Sequence, residues 1–317
     1  MGSNQINEDL VTTIPSSEMT KACQYFIDQK TNAVFSDIEL FFKHVIGREY
    51  PEVAPISEQL RNSCDIRTEK IKGYTVYTFT PKKKRSEVHI IYTHGGGWVH
   101  ELIAPHWDMI HQLIEDNGAM VTVPIYPLSP ESNHKVAYEF LGEVYRNVIA
   151  VTPVDKVILS GDSAGGGLAI GQCFYFRDLG LPLPKLVVAF SPCVDMTLEN
   201  PEMSDLEKMD VILGLEGGRE AARMWINDVN PKSPILSPLY GDLTGLPPIR
   251  IYIGTYDMLL PDNRLFKKKM KAAGGDIQLY EYTGGIHVFM AFPPIPESQD
   301  VFKKVKNAIT EIVKTKD

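Results

Sequence analysis

The chain has 317 residues, 44% of them hydrophobic and 23% charged, with a formal net charge of −8 at neutral pH. That length supports a sizeable buried core as one large domain, or a domain with a lid, without disulfide staples. The negative balance argues against nucleic acid or an anionic membrane surface as the main partner. No apolar stretch approaches the ~18 residues needed to span a bilayer, so no integral membrane contact is expected.

The N-terminus carries no charged region followed by an apolar stretch, and so reads as lacking a signal peptide. Met1-Gly2-Ser3 opens like an acylation signal, but that pattern needs Ser or Thr at position 6, where the chain has Ile6. The four cysteines, Cys23, Cys64, Cys173 and Cys193, form no C-x-x-C pair and read as free thiols. Together these features point to a soluble, cytoplasmic protein.

Residues 17–47 have a helical apolar pattern (Ala22, Phe26, Phe35, Ile38, Phe41, Phe42, Val45) ahead of the first strand. Strands are predicted at 74–80 and 88–93, paired antiparallel across the basic loop Lys82-Lys83-Lys84-Arg85. Further strands are predicted at 120–126, 157–160, 186–190, 249–254 and 277–282, and helices near 106–116, 133–149, 164–178, 262–273 and 297–314. Several strands show no polar alternation, as expected where helices cover both faces. The alternation predicts an α/β fold with a mostly parallel sheet. Residues 199–235 break it with Met203, Leu206, Met209, Ile212, Leu213, Met224 and Trp225. With residues 1–50, this insertion has the size and flexible apolar character of a cap over a pocket.

The strand at 88–93 runs into His94-Gly95-Gly96-Gly97-Trp98. Consecutive glycines let backbone N–H groups approach a ligand, and an HGGG loop of this kind supplies an oxyanion-hole donor. His100, His106 and His111 follow at separations that share no helical face, and there is no H-E-x-x-H, so no metal is expected. His44, His89 and His134 read as surface or loop residues. No phosphate-binding glycine motif follows a strand, and no cofactor is implied.

Gly161-Asp162-Ser163-Ala164-Gly165 fits G-x-S-x-G at a strand-to-helix turn. Glycines two residues either side of the serine remove side chains that would collide in so sharp a turn. Ser163 then lies at a helix N-terminus, which favours developing negative charge, and Ala164 would give a second oxyanion donor. A serine needs a base, and His287, after the strand at 277–282, is the only histidine downstream of Ser163. Asp257 follows the strand at 249–254 and is the expected acid, with Asp262 as the alternative, read otherwise as the N-cap of the next helix.

These four elements, "HGGGW", "GDSAGG", an Asp after "LPPIRIYIGT", and "IHVF", resemble the hormone-sensitive-lipase-like branch of the α/β-hydrolases, from about residue 70 to the C-terminus. The resemblance implies an α/β-hydrolase fold, with an eight-stranded sheet flanked by helices under a helical cap. It implies hydrolysis of carboxylic esters, usually with short acyl chains, and makes a homodimer an expectation. It assigns the oxyanion hole to the N–H groups of Gly96, Gly97 and Ala164 and leaves His94 to hold the glycine loop. The segment at 126–140 matches the family only loosely, and the cap sequence is largely its own. Trp98, Met209 and Trp225 are the candidate pocket residues. An amidase or formamidase with the same triad stays open, as does a ligand receptor on the same scaffold. The second needs an inactive site, whereas all three triad residues are present.

Overall fold

The computed structural model describes residues 8–47, 52–83, 85–292 and 295–314, and side chains as far as 312. β1 (Leu10–Thr12), α1 (Ser17–Gln29), α2 (Ala33–Ser36), α3 (Ile38–Gly47) and α4 (Glu58–Ser63) precede the antiparallel pair β2 (Cys64–Ile71) and β3 (Tyr74–Pro81). Strands and helices then alternate as β4 (His89–Thr93), α5 (Ala104–Asn117), β5 (Met120–Pro124), α6 (His134–Ile149), β6 (Val157–Asp162), α7 (Ser163–Asp178) and β7 (Leu186–Phe190). α8 (Met203–Leu206) and α9 (Leu215–Ile226) come before β8 (Ile249–Gly254), α10 (Leu260–Ala272), β9 (Ile277–Tyr282) and α11 (Pro296–Lys314).

The described strands form one sheet in the order β1-β9-β8-β7-β6-β4-β5-β3-β2. Alternate residues of each central strand feed opposite cores, as the two-residue period of a strand requires. In β6, Val157 and Leu159 face a core shared with α6, α7 and α10, whereas Ile158 faces one shared with α5 and α11. The sheet thus carries helices on both faces, which is why these strands lack polar alternation.

The chain leaves β4 toward β5 but leaves β6 toward β7, on the opposite side. Connections therefore reverse between the neighbouring parallel strands β4 and β6, and a crevice opens at their carboxyl ends, where open α/β sheets bind ligands. Both the glycine loop and the Ser163 turn begin there.

The sheet departs from expectation in three ways. Among the described residues it has nine strands rather than eight, because Leu10–Thr12 adds parallel to the edge of β9. The strand at 74–80 does not pair with that at 88–93. β3 is antiparallel to β2 and β5, and β4 is parallel to β5 and β6, so the basic loop crosses over β5 instead of closing a hairpin. Lys84 of that loop lies outside the described residues. β2 itself is an edge strand whose exposed face carries charge (Asp65, Arg67, Glu69), which hides it from an apolar pattern.

His89 and His134 are buried, not surface residues. The His89 ring bridges Thr152 Oγ1 at 3.0 Å and Thr122 Oγ1 at 2.8 Å, and His134 Nδ1 donates to the Trp225 carbonyl at 3.0 Å. In the N-terminal segment, Phe35, Ile38, Phe41 and Val45 pack with Ala221 and Met224 of α9 and with Val99. Two stretches distant in sequence therefore meet over the glycine loop. Residues 1–7 and 48–51 of the segment lie outside the described residues, Met1-Gly2-Ser3 included. No helix among the described residues is long and apolar enough to cross a membrane.

Candidate active site

β6 ends at Asp162, and α7 begins at Ser163 with φ at +53°. A non-glycine residue in that region stores about 1–3 kcal/mol of strain, held here by the surrounding turn. The flanking glycines are obligatory. A Cβ on Gly161 would lie 2.5 Å from both Gly165 O and Thr93 O, and one on Gly165 would lie 2.1 Å from Thr93 O. The collision is therefore with the end of β4 as well as across the turn.

Ser163 Oγ lies 2.9 Å from His287 Nε2, and His287 Nδ1 lies 2.8 Å from Asp257 Oδ2. The carboxylate can only accept, so Nδ1 carries the proton and Nε2 is left to accept from the serine hydroxyl. Asp257 is fully buried, and its other oxygen accepts from Leu259 N at 2.9 Å, which fixes the carboxylate plane. Burial opposes the imidazolium of His287. Asp257, with Asp210 and Asp162 behind it, outweighs that penalty and raises the histidine above its ordinary pKa.

Asp262 is not the N-cap of α10 but lies in its first turn, because the helix starts at Leu260. Its Oδ1 accepts from Asn200 Nδ2 at 2.7 Å, and it has no hydrogen bond to His287 among the described residues. Burial pushes its carboxyl up to about 6.

Across the crevice, Gly96 and Gly97 have φ of +112° and +60°. A Cβ on Gly96 would lie 2.6 Å from His100 O. Among the described residues, the N–H groups of Gly96 and Gly97 donate to no backbone acceptor, and that of Ala164 lies in the first turn of α7, where helices leave N–H groups unpaired. The His94 ring is stacked on Tyr126 with centroids 4.5 Å apart, and its Nδ1 donates to Gly95 O at 2.7 Å. Burial, with His106 nearby, pushes its pKa down to about 4.

Asp162 went unassigned in the sequence and proves central to this geometry. Its Oδ1 accepts from Tyr92 Oη at 2.6 Å and from Gly95 N at 3.0 Å, and His106 Nε2 donates to Oδ2 at 3.2 Å. His106 Nδ1 accepts from Ile103 N at 2.9 Å, which leaves Nε2 as the protonated nitrogen. Asp162 therefore ties the glycine loop to the serine turn. Glycine is required at 95 because a Cβ there would lie 2.2 Å from Asp162 Oδ2. Burial opposes the charge on Asp162, but His106 and the Tyr92 hydroxyl outweigh it and hold the carboxyl below its usual range.

A largely apolar cavity of about 510 Å³ opens on Ser163 and His287. Phe26 and Phe35 line it from the N-terminal segment, Leu213 and Gly218 from the insertion, and Met258 and Val288 from the loops that carry Asp257 and His287. Trp98 also lines it. Met209 and Trp225 are not on its wall. Met209 is 43% exposed in the turn after α8, and Trp225 is buried behind Trp98, with ring centroids 6.3 Å apart. An apolar helical stripe does not say which face meets the cavity, and Ile212 and Leu213 of the same segment take that position. His100 and His106 are at the cavity, whereas His111 pairs with Glu115 on α5 at 3.9 Å. No group of three or more His, Cys, Asp or Glu side chains is placed to hold a metal ion among the described residues.

A family model for the alpha/beta hydrolase fold matches residues 90–291. An acetyl-hydrolase of Streptomyces hygroscopicus is 32% identical over 212 residues, covering 66% of this chain and 71% of that protein. An esterase of Acinetobacter venetianus is 27% identical over 227 residues, covering 70% and 75%. The crystal structure of an esterase from the bacterial hormone-sensitive lipase family superposes with a TM-score of 0.80 at 25% identity, over 95% of this chain and all of that one. With the serine turn and glycine loop facing each other at the sheet's reversal point, the chain belongs to the α/β-hydrolases, in their hormone-sensitive-lipase-like branch.

Proposed function

We propose that the protein is a carboxylesterase that cleaves short-chain acyl esters through Ser163, His287 and Asp257. The observation that carries this reading is the unbroken hydrogen-bonded path from Ser163 Oγ through both nitrogens of His287 to Asp257. As Ser163 attacks the ester carbonyl, His287 Nε2 takes the hydroxyl proton. The N–H groups of Gly96, Gly97 and Ala164 receive the negative charge that develops on the carbonyl oxygen. His287 then returns its proton to the leaving alkoxide, and the acyl-enzyme remains. A water molecule deprotonated by the same nitrogen attacks the acyl carbon, and collapse of the second tetrahedral intermediate frees the acid and Ser163. Apart from the ester and one water, every step uses this chain's own groups.

The N-terminal helices and the 199–235 insertion act as the cap, a reading supported by their packing on each other and their residues on the cavity wall. An acyl chain resting among Phe35, Leu213 and Met258 would be held by burial alone, at about 0.8 kcal/mol per CH₂. The acetyl-hydrolase and esterase relatives support a small ester as substrate. Four free thiols support a reducing, cytoplasmic setting.

The test compares turnover of p-nitrophenyl acetate, butyrate and decanoate by the native protein and by Ser163→Ala. The native protein should cleave the short esters, and the variant should lose at least about a thousandfold in kcat. A native protein inert on all three, or a variant that retains activity, would overturn the reading.

A further inference from the structure

Asp210 is a buried carboxylate that the steps above leave unused. It follows α8 in the insertion and is 2% exposed. No cation pairs with it among the described residues. Backbone donors hold it instead: Oδ1 accepts from Ile212 N and Leu213 N, each at 2.9 Å, and Oδ2 accepts from Met258 N, also at 2.9 Å. Its own carbonyl accepts from Asn32 Nδ2 at 3.2 Å, which brings in the N-terminal segment.

These partners are not scattered. Met258 directly follows Asp257, and Ile212, Leu213 and Met258 all line the cavity. A single side chain therefore joins the acid-bearing loop after β8 to the wall contributed by the insertion. Only a side chain with two acceptor oxygens can serve both sets of donors, because an amide would turn its NH₂ toward one of them. Desolvating a carboxylate without a cation is expensive, so apolar packing alone does not account for Asp at this position.

We propose that Asp210 is a positioning residue for the reaction, holding the Asp257 loop, and through it His287, in register with the cavity wall formed by Ile212 and Leu213. The inference rests on the reading of Ser163, His287 and Asp257 as the reacting set. It assigns no contact with substrate to Asp210 itself.

Charge adds a second consequence. The groups facing His287 are Asp257 from the loop after β8, Asp210 from the insertion and Asp162 from the serine turn. Those facing Asp210 are Asp257, His287 and, from α1, Cys23. Burial and the neighbouring Asp257 push Asp210 up to about 6, against the pull of His287 and of the Met258 and Leu213 N–H groups. Above that pH it is a second carboxylate favouring the imidazolium. Removing it lowers the His287 pKa, and the base then stays neutral to lower pH.

The experiment measures kcat, KM and the pH profile of kcat/KM on p-nitrophenyl butyrate for native protein, Asp210→Asn and Asp210→Ser. Serine keeps an acceptor for the Ile212 turn while losing Met258, so it guards against a variant that simply unfolds. Both variants should lose about tenfold or more in kcat, with KM changed less than about threefold. The acid limb of kcat/KM should move to lower pH. Folded variants with native kcat and an unmoved limb would overturn the proposal, as would a loss confined to KM. Failure of both variants to fold would assign Asp210 to the fold and overturn it too. Ser163→Ala is measured in parallel. If native turnover is absent or survives that change, the reading of the site fails. If native turnover depends on Ser163 and the Asp210 variants match it, the positioning role alone fails.

Discussion

The carboxylate of Asp162 stands where three separate pieces of chain must agree: the end of β4, the start of α5 and the turn that presents Ser163. An amide there could satisfy Gly95 N and the Tyr92 hydroxyl only by turning its NH₂ toward the His106 Nε2–H, donor against donor. Asp162→Asn should therefore release the glycine loop without touching Ser163. Breaking a buried charge-assisted network of this kind typically costs about 3–5 kcal/mol. We expect a loss of stability of that order in denaturant titration, together with a drop of about tenfold or more in kcat, since displaced N–H donors matter most when the oxyanion forms. A variant with native stability and kcat would remove Asp162 from this role. The hydrogen-bonded set of Ser163, His287 and Asp257 is legible in sequence because each member lies in the segment just past the end of a strand, and the chemistry limits the histidine to one candidate. Asp162 and Asp210 are not legible in that way. The partners that give them their roles, Met258 for Asp210 and Tyr92, Gly95 and His106 for Asp162, lie 48 to 70 residues away, and only the folded chain shows that Asp162 is more than the variable position of G-x-S-x-G.

At the scale of elements, α9 carries two adjacent glycines with different reasons for being there. A Cβ on Gly217 would lie 2.8 Å from the Cα and carbonyl oxygen of Phe35, so close packing of the N-terminal segment requires glycine. At Gly218 a Cβ would meet only side-chain tips, Leu198 Cδ1 at 3.1 Å and Met258 Cε at 4.0 Å, and the position lines the cavity. Glycine inside a helix costs roughly 0.5–1 kcal/mol relative to alanine, and at 218 the space it leaves opens onto the cavity. Gly218→Leu should fill that space. On the p-nitrophenyl series, kcat/KM for decanoate should fall at least about tenfold relative to acetate, and an unchanged ratio would place the chain elsewhere. The elements that sequence patterning misses have physical reasons for being silent. β2 and β3 join through Lys72-Gly73, both at positive φ, where a hairpin is normally announced by Asn or Asp before the glycine. β1 is three residues long, too short to show any period, and it exists only because β9 offers it an edge.

For the molecule as a whole, the consequential feature is that the N-terminal segment is fastened to the C-terminal part of the sheet before it crosses the cavity. Asp9 pairs with Lys267, Thr283 N donates to Thr12 Oγ1 at 3.1 Å, and the Thr283 hydroxyl donates to Thr12 O. Ser16 N and Ser16 Oγ each donate to Glu297 at 2.7 Å, while the same Oγ caps α1 by accepting from Met19 N at 3.0 Å. Thr283 lies four residues before His287, and α1 carries Phe26 to the cavity wall. The clasp therefore lies between the histidine loop and the pocket, and its Ser16–Glu297 end is the one that leads into α1. Glu297 is 4% exposed and accepts both Ser16 donors. Hydrogen bonds to a charged group contribute about 1.5–3 kcal/mol each, so Glu297→Ala should loosen the N-terminal segment without unfolding the sheet. The expected signature is a separation of effects: KM for butyrate rises several-fold and proteolysis near residues 8–16 accelerates, while kcat holds because Ser163, His287 and Asp257 keep their own supports. A fall in kcat with KM unchanged would mean that the clasp acts on the histidine loop instead. Unchanged kinetics and proteolysis would mean that β1 pairing alone fastens the segment.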